Sequence, residues 1–385
     1  MVKEPNVSGQ FYSSDPKELT RMINFFSEKA NVDSIEGFID IVIAPHAGYV
    51  YSGPVAAYSF NVVKRKAYRT IIVLAPSHRL PFNGISIWPE GGFKTPLGTL
   101  PVDKKLSQQI LNAHKQFYFE PKAFDGEHSL EVELPFIQET FNDVSIVPVV
   151  MGQPSYALLE KFAETLDLVI GERKDILIVV STDFSHYHPY EKAKRIDFKT
   201  IEAIKNLESE RIWKECHLKT MEMCGYVPVT AALLYAKRRG LNNVKVLSYA
   251  NSGDTSGMKS QVVGYSAIAI YRDPNASKQQ LERIGDEAAL NPLQKNRLLQ
   301  IARETIEQYV REGTVYQFKE NDPRLFEEEG AFVTIHKHGR LRGCIGNITG
   351  SGPLCYLVRD LAISSATNDP RFRPLNKDEI KDIEV

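Results

Sequence analysis

Two histidines of this chain share a local grammar that suits metal chemistry. His46 sits in Ala44-Pro45-His46-Ala47-Gly48-Tyr49, with Tyr51-Ser52-Gly53 behind it, and His78 closes Ala75-Pro76-Ser77-His78. Each follows a short apolar run and leaves it through a proline, the mark of a strand that ends in a tight loop facing a cleft. Two imidazoles from adjacent strand ends suit a divalent transition metal such as iron, copper or zinc. The alternative for each is a hydrogen-bonded structural histidine, and meeting the pattern twice weighs against it.

Three further segments carry groups for the same rim. In Glu127-His128-Ser129-Leu130-Glu131-Val132-Glu133-Leu134-Pro135-Phe136 the apolar residues Leu130, Leu134 and Ile137 have helical spacing, so His128 falls near a helix start. There it either orients a substrate oxygen, as a catalytic group, or belongs to a capping arrangement. In Ser181-Thr182-Asp183-Phe184-Ser185-His186-Tyr187-His188, Asp183 can serve catalysis by orienting a histidine or a metal-bound water. His186 is the candidate general acid and base, because imidazole titrates near working pH, and His188 reads as a loop residue. The run Tyr249-Ala250-Asn251-Ser252-Gly253-Asp254-Thr255-Ser256-Gly257 is either an ordinary turn or a ligand loop. As a ligand loop it lets Asp254 join His46 and His78 in a two-histidine, one-carboxylate set, which makes iron the first expectation for the metal.

These groups need a scaffold that brings separate loops to one edge. Near-continuous apolar runs at Ile39 to Ala44, Thr70 to Ala75, Val144 to Val150, Ile176 to Ser181, Val244 to Leu247 and Val262 to Tyr271 read as strands covered on both faces. Helical patterns lie between several of them, at Asp103 to His114, Tyr156 to Ile170 and Val229 to Arg239. The alternation predicts an α/β fold, a layered and mostly parallel sheet flanked by helices. His46, His78, Asp183 with His186, and Ser252 with Asp254 all follow strand ends. In open α/β sheets that edge is where ligands bind.

At 385 residues the chain is long enough for two domains. A polar stretch from Arg272 to Leu290 separates residues 1–271 from 291–385 and reads as a linker. Asn291-Pro292 then reads as a helix cap with proline at the first helical position, and Leu298, Ile301, Ala302, Ile306 and Tyr309 share one face of the helix that follows. Net charge of −1 gives no global attraction to nucleic acid or an anionic membrane. Four cysteines without a CxxC argue against a disulfide framework or a zinc ribbon. The first residues lack the apolar core of a secretory signal, and no run reaches the ~18 apolar residues of a membrane span. A soluble cytoplasmic protein is expected.

The second region holds a strand at Gly330 to Ile335, a turn at Gly339-Arg340 and a second strand, Leu341-Arg342-Gly343-Cys344-Ile345-Gly346, with Ala366-Thr367-Asn368-Asp369-Pro370-Arg371-Phe372 beyond. Arg342 and Cys344 are its candidate anion binder and nucleophile, and the glycine-flanked cysteine is alternatively packed in its strand.

The five ordered motifs PHAGYVYSG, APSHR, EHSLEVELPF, STDFSHY and YANSGDTSG resemble the Memo family, which is similar in fold to ring-opening extradiol dioxygenases. The resemblance covers residues 1–271 and implies a metal pocket at His46 and His78 with Asp183 and His186 alongside. The last loop has no cysteine, and Cys216 and Cys224 lie in other segments, so Asp254 is expected where a sulfur ligand is absent. The LRGCIG core resembles the AMMECR domain, here a smaller α+β module expected to be incomplete because the chain stops in a starting strand. Together the resemblances imply a metal-dependent, dioxygenase-like oxidoreductase acting on a small molecule. The alternatives are a scaffold that binds a small molecule or peptide without turnover, and an accessory subunit whose partner is a radical-SAM protein.

Overall fold

The computed structural model describes residues 1–272, 290, 292–347, 349–350 and 352–385. The chain divides into two compact units, Met1–Asn275 and Ala276–Val385. The linker expected at 272–290, apart from Arg272 and Leu290 at its ends, and the cap expected at Asn291 lie outside the described residues.

The strands of the larger unit are β1 (Val2–Lys3), β2 (Phe38–Ala44), β3 (Thr70–Pro76), β4 (Ile85–Ile87), β5 (Gly92–Thr95), β6 (Gly98–Pro101), β7 (Phe117–Tyr118), β8 (Ser145–Met151), β9 (Ile176–Ser181), β10 (His186–His188), β11 (Asn243–Asn251) and β12 (Val262–Arg272). Its helices are α1 (Pro16–Lys29), α2 (Tyr49–Asn61), α3 (Lys104–Leu111), α4 (Leu134–Thr140), α5 (Tyr156–Ile170), α6 (Tyr190–Lys205), α7 (Ser209–His217), α8 (Tyr226–Arg239) and α9 (Ser252–Ser256). The main sheet runs β10-β12-β2-β9-β3-β8-β4-β7, with β11 also paired to β12. Its middle strands β2, β9, β3 and β8 are parallel. The pairs β12–β2, β11–β12 and β4–β8 are antiparallel. The expected layered α/β fold is present, with its parallel strands concentrated in the centre.

The near-continuous apolar runs have a simple cause. Alternate residues of the central strands enter two cores. Ile41, Ile43, Ile72, Leu74, Ile178 and Val180 pack with α5 and α8, and Val42, Ala44, Ile71, Val73, Leu177 and Val179 with α1, α2 and α4. Each of these side chains except Ala44 contributes roughly 1.5–3 kcal/mol by leaving water, and both faces demand one. The helix α2 is not among the expected helical patterns. Gly53 and Pro54 argue locally against a helix, yet Val55, Ala56, Ala57 and Phe60 are buried. A Cβ on Gly53 would overlap the Phe26 ring of α1. Close helix packing thus explains a residue that propensity counts against.

Parallel order fixes the functional edge. Because β2, β9 and β3 are adjacent, the chain after Ala44, Ser181 and Pro76 emerges side by side. The β9 end lies between the other two, and Ser181 and Asp183 there reach His46, at its Nδ1 and its backbone N–H.

The smaller unit has strands β13 (Ala331–Lys337), β14 (Arg340–Asn347) and β15 (Ile383–Glu384) in the order β14-β13-β15, with helices α10 (Pro292–Glu312) and α11 (Leu354–Thr367). The hairpin turn falls at His338 and Gly339, with φ of 49° and 74°, one residue before the expected Gly339-Arg340. Positive φ at both central residues matches the twist of a two-residue hairpin. Leu298, Ile301, Ala302 and Ile306 of α10 enter the core as their spacing predicts, while Tyr309 stays half-buried. Among the described residues no helix is long and apolar enough to cross a membrane.

Candidate metal centre

Among the described residues one group of three side chains has the geometry to hold a metal ion. His46, His78 and His128 each offer a ring nitrogen, and the three nitrogens lie within 4.8 Å of one another. The ring centroids of His46 are 5.2 Å from His78 and 5.3 Å from His128, and those of His78 and His128 are 4.7 Å apart. His46 is buried at 1% exposure, whereas the His78 side chain is 28% exposed, so the site opens to solvent on the His78 side.

Buried acids aim the rings. Glu127, 2% exposed, accepts from the His78 backbone N–H at 2.5 Å and lies 2.9 Å from His78 Nδ1. It also accepts from the N–H groups of His128 and Ser129 and from the Ser129 hydroxyl. Burial pushes this carboxyl up, but the hydrogen bonds and charge of His78, with the backbone donors, outweigh it and hold Glu127 at about 2. An ionised Glu127 fixes the proton of His78 on Nδ1 and leaves Nε2 with its lone pair. Carboxylates orient metal-binding histidines in this way. His46 Nδ1 is 2.8 Å from Ser181 Oγ, which again turns Nε2 outward. Glu131 binds the N–H groups of Asn6 and Val7 and the Tyr12 hydroxyl. That anchors the segment whose Phe11 ring packs 4.8 Å from His128.

The sulfur of Cys224 lies 3.2 Å from His46 Nε2. Cys224 lies in a segment other than the last loop, as expected, yet its sulfur reaches His46. The Cys224 N–H donates to Asp183 O, the Asp183 N–H donates to Cys224 Sγ, and the Gly225 N–H donates to Thr182 Oγ1. The backbone can approach this closely because position 225 is glycine: a Cβ there would lie 2.5 Å from Thr182 Cβ and 2.6 Å from Ser181 O. Nitrogen and sulfur ligands of one metal, at about 2.1 and 2.3 Å, stand about 3.1 Å apart at a right angle and about 3.6 Å apart at a tetrahedral one, so the 3.2 Å pair suits the right-angled arrangement.

The other expected residues divide. The Asp183 carboxylate accepts from the His46 N–H at 2.8 Å. Burial raises its pKa to about 7, against the lowering effect of that N–H and of His78. His186, on β10, is near enough for its charge to bear on His46 and His78 but is not one of the three converging rings. His188 pairs with Glu222 at 2.9 Å. Asp254 is not brought to the histidines. Its Oδ1 accepts from the Tyr190 hydroxyl at 2.7 Å and its Oδ2 from the Asn251 N–H at 2.8 Å, in the capping box of α9. Its strand is two places along the sheet from β2, and the third member of the converging group is His128.

The donor set fits a cation. His46 is driven well below the usual imidazole range by burial first and then by its three histidine neighbours. Burial likewise lowers His128 to about 4 and lowers His186. Neutral imidazoles ligate, and the ionised Glu127 behind them supplies negative charge. His128 Nδ1 is buried without a hydrogen-bond partner, a cost that a bound cation can remove.

In the smaller unit Arg342 is not a free anion binder. Its Nε and Nη2 donate to both oxygens of Glu379 at 3.0 and 2.9 Å, and its Nη1 donates to Arg373 O. This pins the turn at 377–382 to the hairpin. Cys344 lies in β14 with its sulfur 3.2 Å from Thr334 Oγ1. Its N–H donates to Asp369, which Arg371 holds with Nε and Nη2. The NDPRF segment therefore clamps the strand that carries the cysteine.

A family model described as Memo-like protein matches residues 3–269, and one described as AMMECR1 matches residues 299–385. A MEMO1 family protein of Caldivirga maquilingensis is 34% identical over 281 residues, 71% of this chain and 100% of that protein. Relatives of the same name from Thermotoga petrophila and Saccharolobus solfataricus are 35% and 36% identical over 285 residues, 70% and 69% of this chain and 100% and 98% of theirs. With two thirds of its length matched and the motif histidines gathered at one sheet edge, the chain belongs to the Memo family and carries an AMMECR1 domain after its Memo-like one.

Proposed function

We propose that the Memo-like domain holds one divalent transition metal through His46, His78 and His128, with Cys224 beside His46 as a fourth donor, and acts there on a small polar or aromatic molecule. The convergence of three ring nitrogens from three separate segments carries this reading. A nitrogen-rich set with one soft neighbour and a solvent-facing side favours iron(II), ahead of copper or zinc. Bound there, the metal supplies Lewis acidity and a template for the reacting groups. The chain's own residues supply proton handling. Asp183, with a pKa of about 7, can take up or release a proton at neutral pH, and His186, kept neutral by burial, is the accompanying base. The half-exposed His78 marks the side from which the small molecule enters.

Anaerobic purification followed by elemental analysis tests this. Wild-type protein is expected to hold one metal ion per chain. The double variant His46→Ala with His78→Ala is expected to fall to background while keeping its circular dichroism, because both residues lie in rim loops. Unchanged metal content in that variant overturns the assignment. In cobalt(II)-loaded protein, a sulfur-to-metal absorption lost in Cys224→Ser identifies the fourth donor.

A further inference from the structure

Behind His46 a buried chain runs through Ser181 to Glu133, a group that the metal reading does not use. Ser181 Oγ is 2.8 Å from His46 Nδ1, 2.8 Å from Glu133 Oε1 and 2.7 Å from Ser129 O. Ser129, Ser181 and Glu133 are fully buried at 0% exposure, so water does not share in the pattern. Glu133 Oε2 has no hydrogen-bond partner.

Hydrogens can be counted in this chain. Ser181 has one hydroxyl hydrogen and three close partners, and Ser129 O can only accept. If Glu133 were ionised, it too could only accept. One hydrogen would then serve two acceptors, and a carboxylate would sit in the core with its second oxygen unpaired, which is among the costliest arrangements a fold can hold. If Glu133 carries a proton, every contact is satisfied. Glu133 donates to Ser181, Ser181 donates to Ser129 O, and the second lone pair of Ser181 accepts from His46 Nδ1–H. The unpaired Oε2 is then a neutral carbonyl oxygen.

The far side of the ring is compatible with this. Cys224 Sγ already accepts the Asp183 N–H and sits 3.2 Å from His46 Nε2. The thiol faces two acceptors, Asp183 O at 3.5 Å and His46 Nε2, and an Nδ1–H tautomer lets its S–H donate to Nε2. The hydrogen count at Ser181 sets the tautomer, and the cysteine edge accommodates it.

We propose that Glu133 is a neutral buried acid that acts through Ser181 to hold His46 in its Nδ1–H tautomer, making Nε2 a lone-pair donor aimed at the metal position. Glu133 is thus a positioning residue. Its use to the protein rests on the metal reading, whereas the proton assignment holds in the metal-free chain and is tested there. Burial and the charge of Asp183 both favour the neutral acid.

Two measurements on chelator-treated full-length protein, at a pH above the titration of Asp183, test the proton assignment. Infrared difference spectra between wild type and Glu133→Gln should show a carboxylic-acid C=O band present only in wild type. Ring-nitrogen chemical shifts of labelled histidine should place the His46 proton on Nδ1. Absence of the band, or His46 protonated on Nε2, overturns the proposal. Cobalt(II) affinity then tests the consequence. Glu133→Gln can still donate to Ser181 through its amide and should bind within about threefold of wild type. Glu133→Leu and Ser181→Ala should each lose roughly 10–100-fold. Equal losses in the Gln and Leu variants overturn the donor role, and if Glu133→Leu does not fold, Ser181→Ala decides. Should wild type bind no cobalt, the metal reading fails, and the infrared and nitrogen measurements still decide where the proton lies.

Discussion

Protonation at the centre has consequences for stability that can be separated by sign. His128 falls from the usual 6.5 to about 4 in the folded protein. Between those values the unfolded chain binds the extra proton, so metal-free stability drops as pH falls from 6.5 towards 4. Asp183 works oppositely. Its pKa rises from 3.8 to about 7, so the folded state holds the extra proton across that window and stability drops as pH rises through it. The two contributions oppose each other between about pH 4 and 6.5. Replacing Asp183 by Asn removes one of them and keeps an oxygen that accepts from the His46 N–H. Urea midpoints of chelated protein across this range should rise more steeply with pH in Asp183→Asn than in wild type. Parallel curves would show that Asp183 is not held protonated.

At the level of elements, the difference between His128 and Asp254 shows what brings a side chain into the histidine cluster. Both follow recognisable motifs at the same rim. The segment bearing His128 crosses over the ends of β2, β9 and β3, locked by Glu127 to β3 and by Ser129 Oγ to Pro76 O. Asp254 follows β11, beyond β12, and each of its carboxylate oxygens already accepts a hydrogen bond. Asp254→Ala should therefore cost about 1–2 kcal/mol, the worth of two such bonds at an exposed site. Thermal melts of metal-free protein measure that cost. Metal content of the variant should equal that of wild type, and its loss would return Asp254 to the ligand set.

At the level of the molecule, each unit has its own core. The two sheet-face clusters of the larger unit draw only on residues 7–270. The cluster of the smaller unit draws on α10, α11 and the hairpin. Independent cores allow one unit to survive cleavage from the other. Lys278 and Arg283 fall in the polar stretch between them. Brief trypsin treatment should cut there first and release a large fragment that keeps the metal. Early cuts inside residues 1–271, or metal lost on cleavage, would count against a self-contained Memo-like domain.

The sequence by itself determined the strands β2, β3, β8, β9, β11 and β12 and the edge they share. Apolar runs of β-branched residues and their Pro-His endings are local signals, and parallel order turns local endings into a shared rim. It therefore named His46, His78 and Asp183 without a structure, and marked His128 and His186 as chemical. It could not see α2, whose Gly53-Pro54 speaks locally against a helix that tertiary burial imposes. Nor could it choose among the three glutamates at 127, 131 and 133, which have similar local settings but hold His78, the N-terminal segment and Ser181, respectively. Cys224 is 178 positions from the histidine it touches, and only the packing of Gly225 against the end of β9 brings it there. Ligand identity was thus left to tertiary structure, because a donor is defined by which atoms remain free after long-range hydrogen bonds are made, and those partners carry no mark in local sequence.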